Sequence, residues 1–227
     1  MSSRLLPIVL AVALVWSGDL AAQQRVPTES ITPPPPPDAA QPAPPPADTR
    51  PSPRAAQAQR ASPHAVRPDP AAAAPEVITD LNRLPAPVAR MRDRILEAAR
   101  SGELGKVLAV MEANETLPVF SLGSDRYPIT YWKTSYPDSD GIEALAIMTA
   151  ILETGFVHVD KGTPEEAFIW PYFARMPLKG LTPAQKVQLF KIVTGSDFKE
   201  MQEFGAYTFY RLAIAPDGTW LYFVAGN

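Results

Sequence analysis

The chain has 227 residues with 27 prolines, two histidines and no cysteine, and its formal net charge is -3 at pH 7. Without cysteine it can form no disulfide, thiolate metal site, iron–sulfur cluster or lipid anchor on sulfur, and two histidines exclude a multi-histidine metal site. Because binding phosphates requires clustered Lys and Arg, which this chain lacks, we expect no nucleic-acid partner. We also expect no cofactor and no bound metal.

The first 22 residues have the organisation of an export signal. Arg4 precedes an apolar run from Leu5 to Trp16, and a stretch of small residues ends at Ala22. The run is shorter than the roughly 20 residues that a membrane-spanning helix needs. We therefore expect a signal peptide over 1–22, a periplasmic or secreted protein of the cell envelope, and no stable membrane span if the signal is cleaved. An uncleaved anchor is the alternative.

Residues 23–75 form a proline-rich segment whose only large apolar residues are Val26, Ile31 and Val66. Such a segment buries too little apolar surface to offset the conformational entropy of the chain. We expect a disordered linker or tail with polyproline II character. The composition changes at Glu76, and 76–227 is predicted to be a single globular domain.

Helices and short strands open the predicted domain. Apolar residues recur every three or four positions over 87–100 and over 103–113, which predicts two helices. Short strands are predicted over 117–122 and 129–133, on either side of a polar turn. A third helix is predicted over 142–153.

The middle of the domain is predicted to be mainly helical. Residues 156–160 alternate weakly and predict a strand. Thr163-Pro164 and Thr182-Pro183 predict two helix starts, because Thr caps a helix and Pro suits its first position. The second of these helices is expected to run to Thr194, and a short helix is expected over 197–204.

The C-terminal residues have the clearest strand pattern. Strands over 207–215 and 219–225 flank the turn Pro216-Asp217-Gly218. Both faces are apolar, so we expect the hairpin to be covered on both sides. Strict alternation assigns Trp220, Tyr222 and Val224 to one face and Leu221, Phe223 and Ala225 to the other. The chain is therefore predicted to be α+β, with several helices packed on a small antiparallel sheet that includes a C-terminal β-hairpin.

Two resemblances extend this interpretation. Residues 95–104, Ile-Leu-Glu-Ala-Ala-Arg-Ser-Gly-Glu-Leu, resemble the opening of NTF2-like domains, where two helices joined by a small-Gly-acidic turn precede the sheet. The helices expected between 163 and 205 depart from that pattern. Residues 215–227 and 170–175 are similar to a group of exported bacterial proteins without an established activity. That similarity implies export and a single domain, and it transfers no catalytic residue.

His158 is the candidate for acid–base chemistry. It is the only histidine of the predicted domain and stands two residues before Asp160, so in a strand both side chains would share a face. The NTF2-like resemblance implies a hydrolase or isomerase that would use this pair. No catalytic motif supplies a nucleophile beside the pair, and a structural role for the histidine is the plainer interpretation.

Trp170, Tyr172 and Arg175 are the candidates for ligand binding. Pro171 is expected to interrupt a helix between the two aromatic residues and leave their rings less packed, while Arg175 would orient an anionic group. Most other aromatic side chains are expected to build the core. We therefore expect a non-catalytic binding module for an envelope protein, a peptide or a cell-wall glycan, with the NTF2-like enzyme as the alternative.

Overall fold

The structure is a computed structural model that describes residues 63–69 and 73–226. The predicted signal peptide and most of the predicted proline-rich tail lie outside these residues. Within the described part of the chain, no helix is both long enough and apolar enough to cross a membrane.

The fold is a five-stranded antiparallel sheet with helices on both faces. Its strands are neighbours in chain order: β1 Val77–Ile78, β2 Phe156–Val159, β3 Ala167–Trp170, β4 Arg211–Ile214 and β5 Trp220–Val224. The helices of the described residues are α1 Ala86–Arg100, α2 Leu104–Glu112, α3 Pro128–Ser135, α4 Ile142–Leu152, α5 Pro183–Leu189 and α6 Gly195–Phe204. The α+β prediction with a C-terminal β-hairpin is confirmed.

Each face of the sheet supports its own hydrophobic core. The first core joins one face to buried side chains of α1 to α4, and includes Ile95, Met111, Trp132, Met148, Trp170 and Phe223. The second core joins the other face to the 3₁₀-helix Tyr172–Arg175, α5 and α6, and includes Val157, Ile169, Leu189, Met201, Tyr207 and Tyr222. Because both faces are covered, every residue of β4 and β5 is buried, as predicted for the hairpin.

A register shift in the hairpin changes which side chains share a face. Ala213 is opposite Tyr222, whereas Ile214 is opposite Trp220, so an extra residue lies in β5. The bulge places Trp220 with Phe223 in the first core, and Leu221, Tyr222 and Val224 in the second. The strict alternation predicted for residues 220–225 was therefore wrong, because a bulge breaks the two-residue period.

The predicted strand over 129–133 is instead part of helix α3. Pro128 occupies the first turn of this helix, a position that does not need its missing N–H. Pro128 and Trp132 are its buried residues, and their spacing is that of one helical face. Of the other strand predicted nearby, Val119 pairs with β5 through an isolated bridge to Tyr222. Burial of one helical face thus outweighs the strand propensity of Ile129, Tyr131 and Trp132.

The two Thr-Pro pairs have different outcomes. Thr163 lies in the β2–β3 turn, where its hydroxyl donates to the Asp160 carbonyl, so the helix predicted there was wrong. Thr182 forms the predicted capping box with Gln185 at the start of α5. That helix ends at Leu189, before Thr194, which caps α6 instead. Near Thr163-Pro164, the four consecutive buried residues Ala167–Trp170 form strand β3 of the sheet.

Candidate functional site

Trp170 and Tyr172 do not form a surface groove. Trp170 is 0% exposed at the end of β3, in the first core, where its ring lies 5.2 Å from that of Phe156. Tyr172 is 1% exposed in the second core, and its hydroxyl donates to Gln188 Oε1 at 2.9 Å. Pro171 follows a strand and does not interrupt a helix. To reach Trp170, a ligand would have to displace core side chains on one face of the sheet. To reach Tyr172, it would have to displace those on the other face.

The structure does not pair His158 with Asp160. Strand β2 ends at Val159 and the Asp160 backbone is left-handed at φ 54°, and although both residues line one cleft, no hydrogen bond joins the side chains of His158 and Asp160. His158 Nε2 lies 2.6 Å from Glu166 Oε1, and the imidazole stacks on the Phe168 ring at 4.1 Å. The other Glu166 carboxylate oxygen accepts the backbone N–H of Gly162 at 2.8 Å. This bond and the one to His158 lower the pKa of Glu166, and the network closes the β2–β3 turn.

Arg211 is a candidate site residue that the sequence analysis missed. It is 2% exposed, and its guanidinium donates two hydrogen bonds to the carbonyl oxygen of Pro63, at 2.8 and 2.5 Å. The same side chain donates to the carbonyls of Gly226 at 3.0 Å and Phe209 at 3.3 Å. Burial lowers its pKa to about 10, so it stays charged at neutral pH. A charged residue inside an apolar strand covered on both sides was the available sequence signal.

The surroundings of Arg211 differ from those of Arg92, the other buried charged residue of the described chain. Arg92 lies 3.2 Å from the Asp93 carboxylate and also donates to the Leu152 carbonyl. Among the described residues, Arg211 bonds only to neutral carbonyl oxygens. Burying a cation without a carboxylate is costly unless its donors are satisfied. The backbone of residue 63 thus helps to satisfy a charge in the folded domain.

Residues 63–69, here called the docked segment, make a second anchored contact at the end of α6. Arg67 Nη2 donates to the Phe204 carbonyl at 2.8 Å, and its guanidinium lies 5.4 Å from the centre of the Phe204 ring. A cation is favourable at a helix C-terminus and over an aromatic face. These contacts were not expected from the composition of the proline-rich segment.

The docked segment also forms one wall of a cleft of about 530 Å³. Val66, Pro68 and Asp69 line this wall, and residues 158–161 of the β2–β3 turn and Arg175 lie across from it. Arg175 is thus the one predicted ligand-binding residue that lines the cleft. It lies beside the buried Tyr222 hydroxyl: burial raises the pKa of Tyr222, and the Arg175 and Arg211 charges act in the opposite direction.

We call the surface formed by Arg211, Phe204 and this cleft the docking groove. Its chemistry suits backbone and side-chain recognition. A buried guanidinium can bind a carbonyl, an aromatic ring at a helix end can bind a cation, and the cleft has both apolar and charged walls. Within the described residues, no group of three or more His, Asp or Glu side chains is arranged to hold a metal ion.

No family model, curated protein or solved structure gives a significant match to this chain. The NTF2-like resemblance and the similarity to exported bacterial proteins therefore remain predictions. The function has to be argued from the docking groove itself.

Proposed function

We propose that this chain is an exported, non-catalytic module of the cell envelope that binds an extended, proline-containing segment of a partner protein in the docking groove. The observation that carries the proposal is the docked segment. Residues 63–69 lie against the domain without helix or strand structure, anchored by the Pro63 carbonyl at Arg211 and by Arg67 at Phe204. The folded domain thus accommodates a ligand of this chemical class from within its own chain.

A peptide suits the groove better than a glycan does. The Arg211 guanidinium directs two N–H donors, Nε and Nη2, at one carbonyl oxygen, a group that a peptide presents at every residue. Proline-rich segments are already extended before binding, so they lose little entropy when they dock. The Phe204 ring contacts a guanidinium, which is again a protein side chain.

Export is the part of the proposal that rests on the sequence. The basic residue, short apolar run and small residues of 1–22 support a periplasmic or secreted location. In that location, the expected partner is another envelope protein with an accessible proline-containing segment.

The enzyme alternative finds less support in the site. The described contacts of the His158 imidazole are to the Glu166 carboxylate and the Phe168 ring, and both oxygens of that carboxylate are engaged, one by His158 and the other by the Gly162 N–H. Stacking and the closed β2–β3 turn account for this histidine as a structural residue.

Peptide binding tests the proposal directly. A fluorescent peptide of residues 61–71 is titrated into the chain carrying Arg67→Ala and Pro68→Ala, which disable the docked segment. We expect saturable binding, and a loss of about tenfold or more, equivalent to about 1.4 kcal/mol, when Arg211→Lys is added to the receptor. Lys keeps the charge but lacks the planar fork. The unmodified chain should bind the peptide more weakly, because its groove is occupied.

Two controls keep this result interpretable. Each receptor variant is checked by thermal melting, and Phe204→Ala provides a second groove variant outside the buried strand. Absence of saturable binding by a folded receptor would refute the proposal. Sedimentation with purified peptidoglycan that is unaffected by Arg211→Lys would instead indicate a glycan ligand bound elsewhere.

A further inference from the structure

The pattern of the docked segment occurs twice in the chain. Residues 63–70 are Pro-His-Ala-Val-Arg-Pro-Asp-Pro, and residues 46–53 are Pro-Ala-Asp-Thr-Arg-Pro-Ser-Pro. Both have the form Pro-x-x-x-Arg-Pro-x-Pro, with a β-branched residue, Val66 or Thr49, before the arginine. The two copies agree at the same four positions.

The repeated positions contact the domain where the structure describes them, and the non-repeated Val66 and Asp69 line the same cleft. Of the four in the later copy, the three that the structure describes each make a contact. The Pro63 carbonyl accepts two hydrogen bonds from the Arg211 guanidinium. Arg67 donates a hydrogen bond to the Phe204 carbonyl, and Pro68 lines the cleft. The contacts of the docked segment and the repeat in the sequence are independent observations, and the side chains of Arg67 and Pro68 belong to both.

Proline abundance alone does not explain the repeat. The segment 23–75 contains further arginines, Arg25, Arg54 and Arg60. None of them is followed by Pro-x-Pro or preceded by proline four positions earlier. Only Arg50 and Arg67 have the full pattern, and Arg67 is the one bound at Phe204.

We propose that residues 49–53, the core of the earlier copy, are a second ligand of the docking groove and replace the docked segment within the same chain. Arg50 would take the place of Arg67 at Phe204, and Pro51 would line the cleft in place of Pro68. This inference rests on the proposed function and specifies it. The groove selects Arg-Pro-x-Pro after a β-branched residue.

The connection to the domain permits the exchange. The docked segment is joined to β1 by a short stretch, whereas residues 49–53 would leave a longer loop before Val77. Loop-closure entropy grows only slowly with loop length, so the longer connection disfavours the earlier copy modestly. The later copy therefore holds the groove by default, and the earlier copy takes it when the later one is released.

Cysteine pairs can measure both states, because the chain has no native cysteine. Lys161→Cys, in the cleft wall, is combined with Asp69→Cys to report the docked segment, or with Ser52→Cys at the matching position of the earlier copy. Samples of the full chain are treated with a bis-maleimide crosslinker long enough to span the cleft and separated by denaturing electrophoresis, and the linked peptides are identified by mass spectrometry. Melting of the reduced proteins confirms that each variant is folded.

We expect the Asp69→Cys pair to form a link within one chain. The Ser52→Cys pair should link weakly, and its yield should rise by roughly tenfold when Arg67→Ala and Pro68→Ala remove the competing copy from the groove. Adding Arg50→Ala should abolish that rise.

The outcomes separate this inference from the proposed function. If the Asp69→Cys pair does not link, the docked arrangement is wrong and the proposed function falls with it. If that pair links and the Ser52→Cys pair shows no Arg50-dependent rise, only the second ligand is refuted. Links of the Ser52→Cys pair that join two chains would overturn occupation within one chain.

Discussion

The Arg211 side chain donates two hydrogen bonds to the carbonyl of Pro63, a residue 148 positions earlier in the chain. One buried guanidinium therefore joins the sheet, the end of the chain at Gly226 and the docked segment. Arg211→Lys keeps a buried charge but cannot reach these carbonyls with a planar fork. We expect it to destabilise the fold by about 1–3 kcal/mol in urea unfolding.

The same variant should release the docked segment. A nonspecific protease should cleave within residues 63–69 faster in Arg211→Lys than in the unmodified chain, under conditions where the core strands remain intact. Lys106→Arg, at an exposed position of α2, serves as the control for a basic substitution. An unchanged cleavage rate would show that Pro63 does not depend on Arg211.

The Glu166 network predicts a specific acid dependence. Its folded pKa lies below the usual Glu value, so the unfolded chain takes up this proton first as the pH falls. The stabilisation is therefore present above about pH 4.3 and is lost as the pH drops through the folded pKa. Glu166→Gln should flatten the loss of stability below about pH 5, whereas Glu165→Gln at the exposed neighbour should not. Equal slopes in both variants would contradict this assignment.

Two buried tryptophans differ in the bonding of their indole N–H groups. Trp220 Nε1 donates to the Tyr222 carbonyl at 3.0 Å, whereas Trp170 Nε1 has no partner among the described residues. Replacement by Phe leaves a similar cavity at each site but removes a hydrogen bond only at Trp220. We expect Trp220→Phe to be more destabilising than Trp170→Phe by about 1 kcal/mol in urea unfolding. The reverse order would indicate that Trp170 has a partner such as a buried water.

Gly218 is required by its contacts as well as by its backbone angle. Both Gly218 and Gly162 have positive φ, at 91° and 77°. A Cβ at Gly218 would lie 2.9 Å from the Pro87 carbonyl oxygen at the start of α1, whereas one at Gly162 would meet nothing within 4 Å. Gly162→Ala should cost about 1 kcal/mol for its backbone angle alone, and Gly218→Ala clearly more. Similar melting temperatures for the two variants would argue against close packing of the hairpin turn on α1.

The C-terminal strand should be indispensable. β5 is buried along its whole length and contributes Trp220 and Phe223 to one core and Tyr222 to the other. Deleting residues 219–227 removes these side chains and the ladder partner of β4. We expect a chain without a cooperative thermal transition, measured by circular dichroism. Native-like melting of the truncated chain would contradict this.

Local sequence signals predicted the fold class better than they predicted the central elements. Helical periodicity located α1 and α2, and the Thr182 capping box located α5, because these signals depend on neighbouring residues. The β2–β3 turn was mistaken for a helix start, since Thr163 makes turn bonds that mimic capping. The candidate site was predicted only in part: Arg175, His158 and Asp160 line the cleft, whereas Trp170 and Tyr172 are buried in the cores.

The amino-acid sequence by itself determined the composition limits, the helical periodicities and the apolar C-terminal hairpin, because each follows from residue type and short-range spacing. Only the tertiary structure decided that Trp170 and Tyr172 are core residues on opposite faces and that Glu166 is the partner of His158. It also placed the Pro63 carbonyl on Arg211. Such contacts between distant residues depend on strand register, a bulge and the covering of both sheet faces, which no short-range pattern encodes.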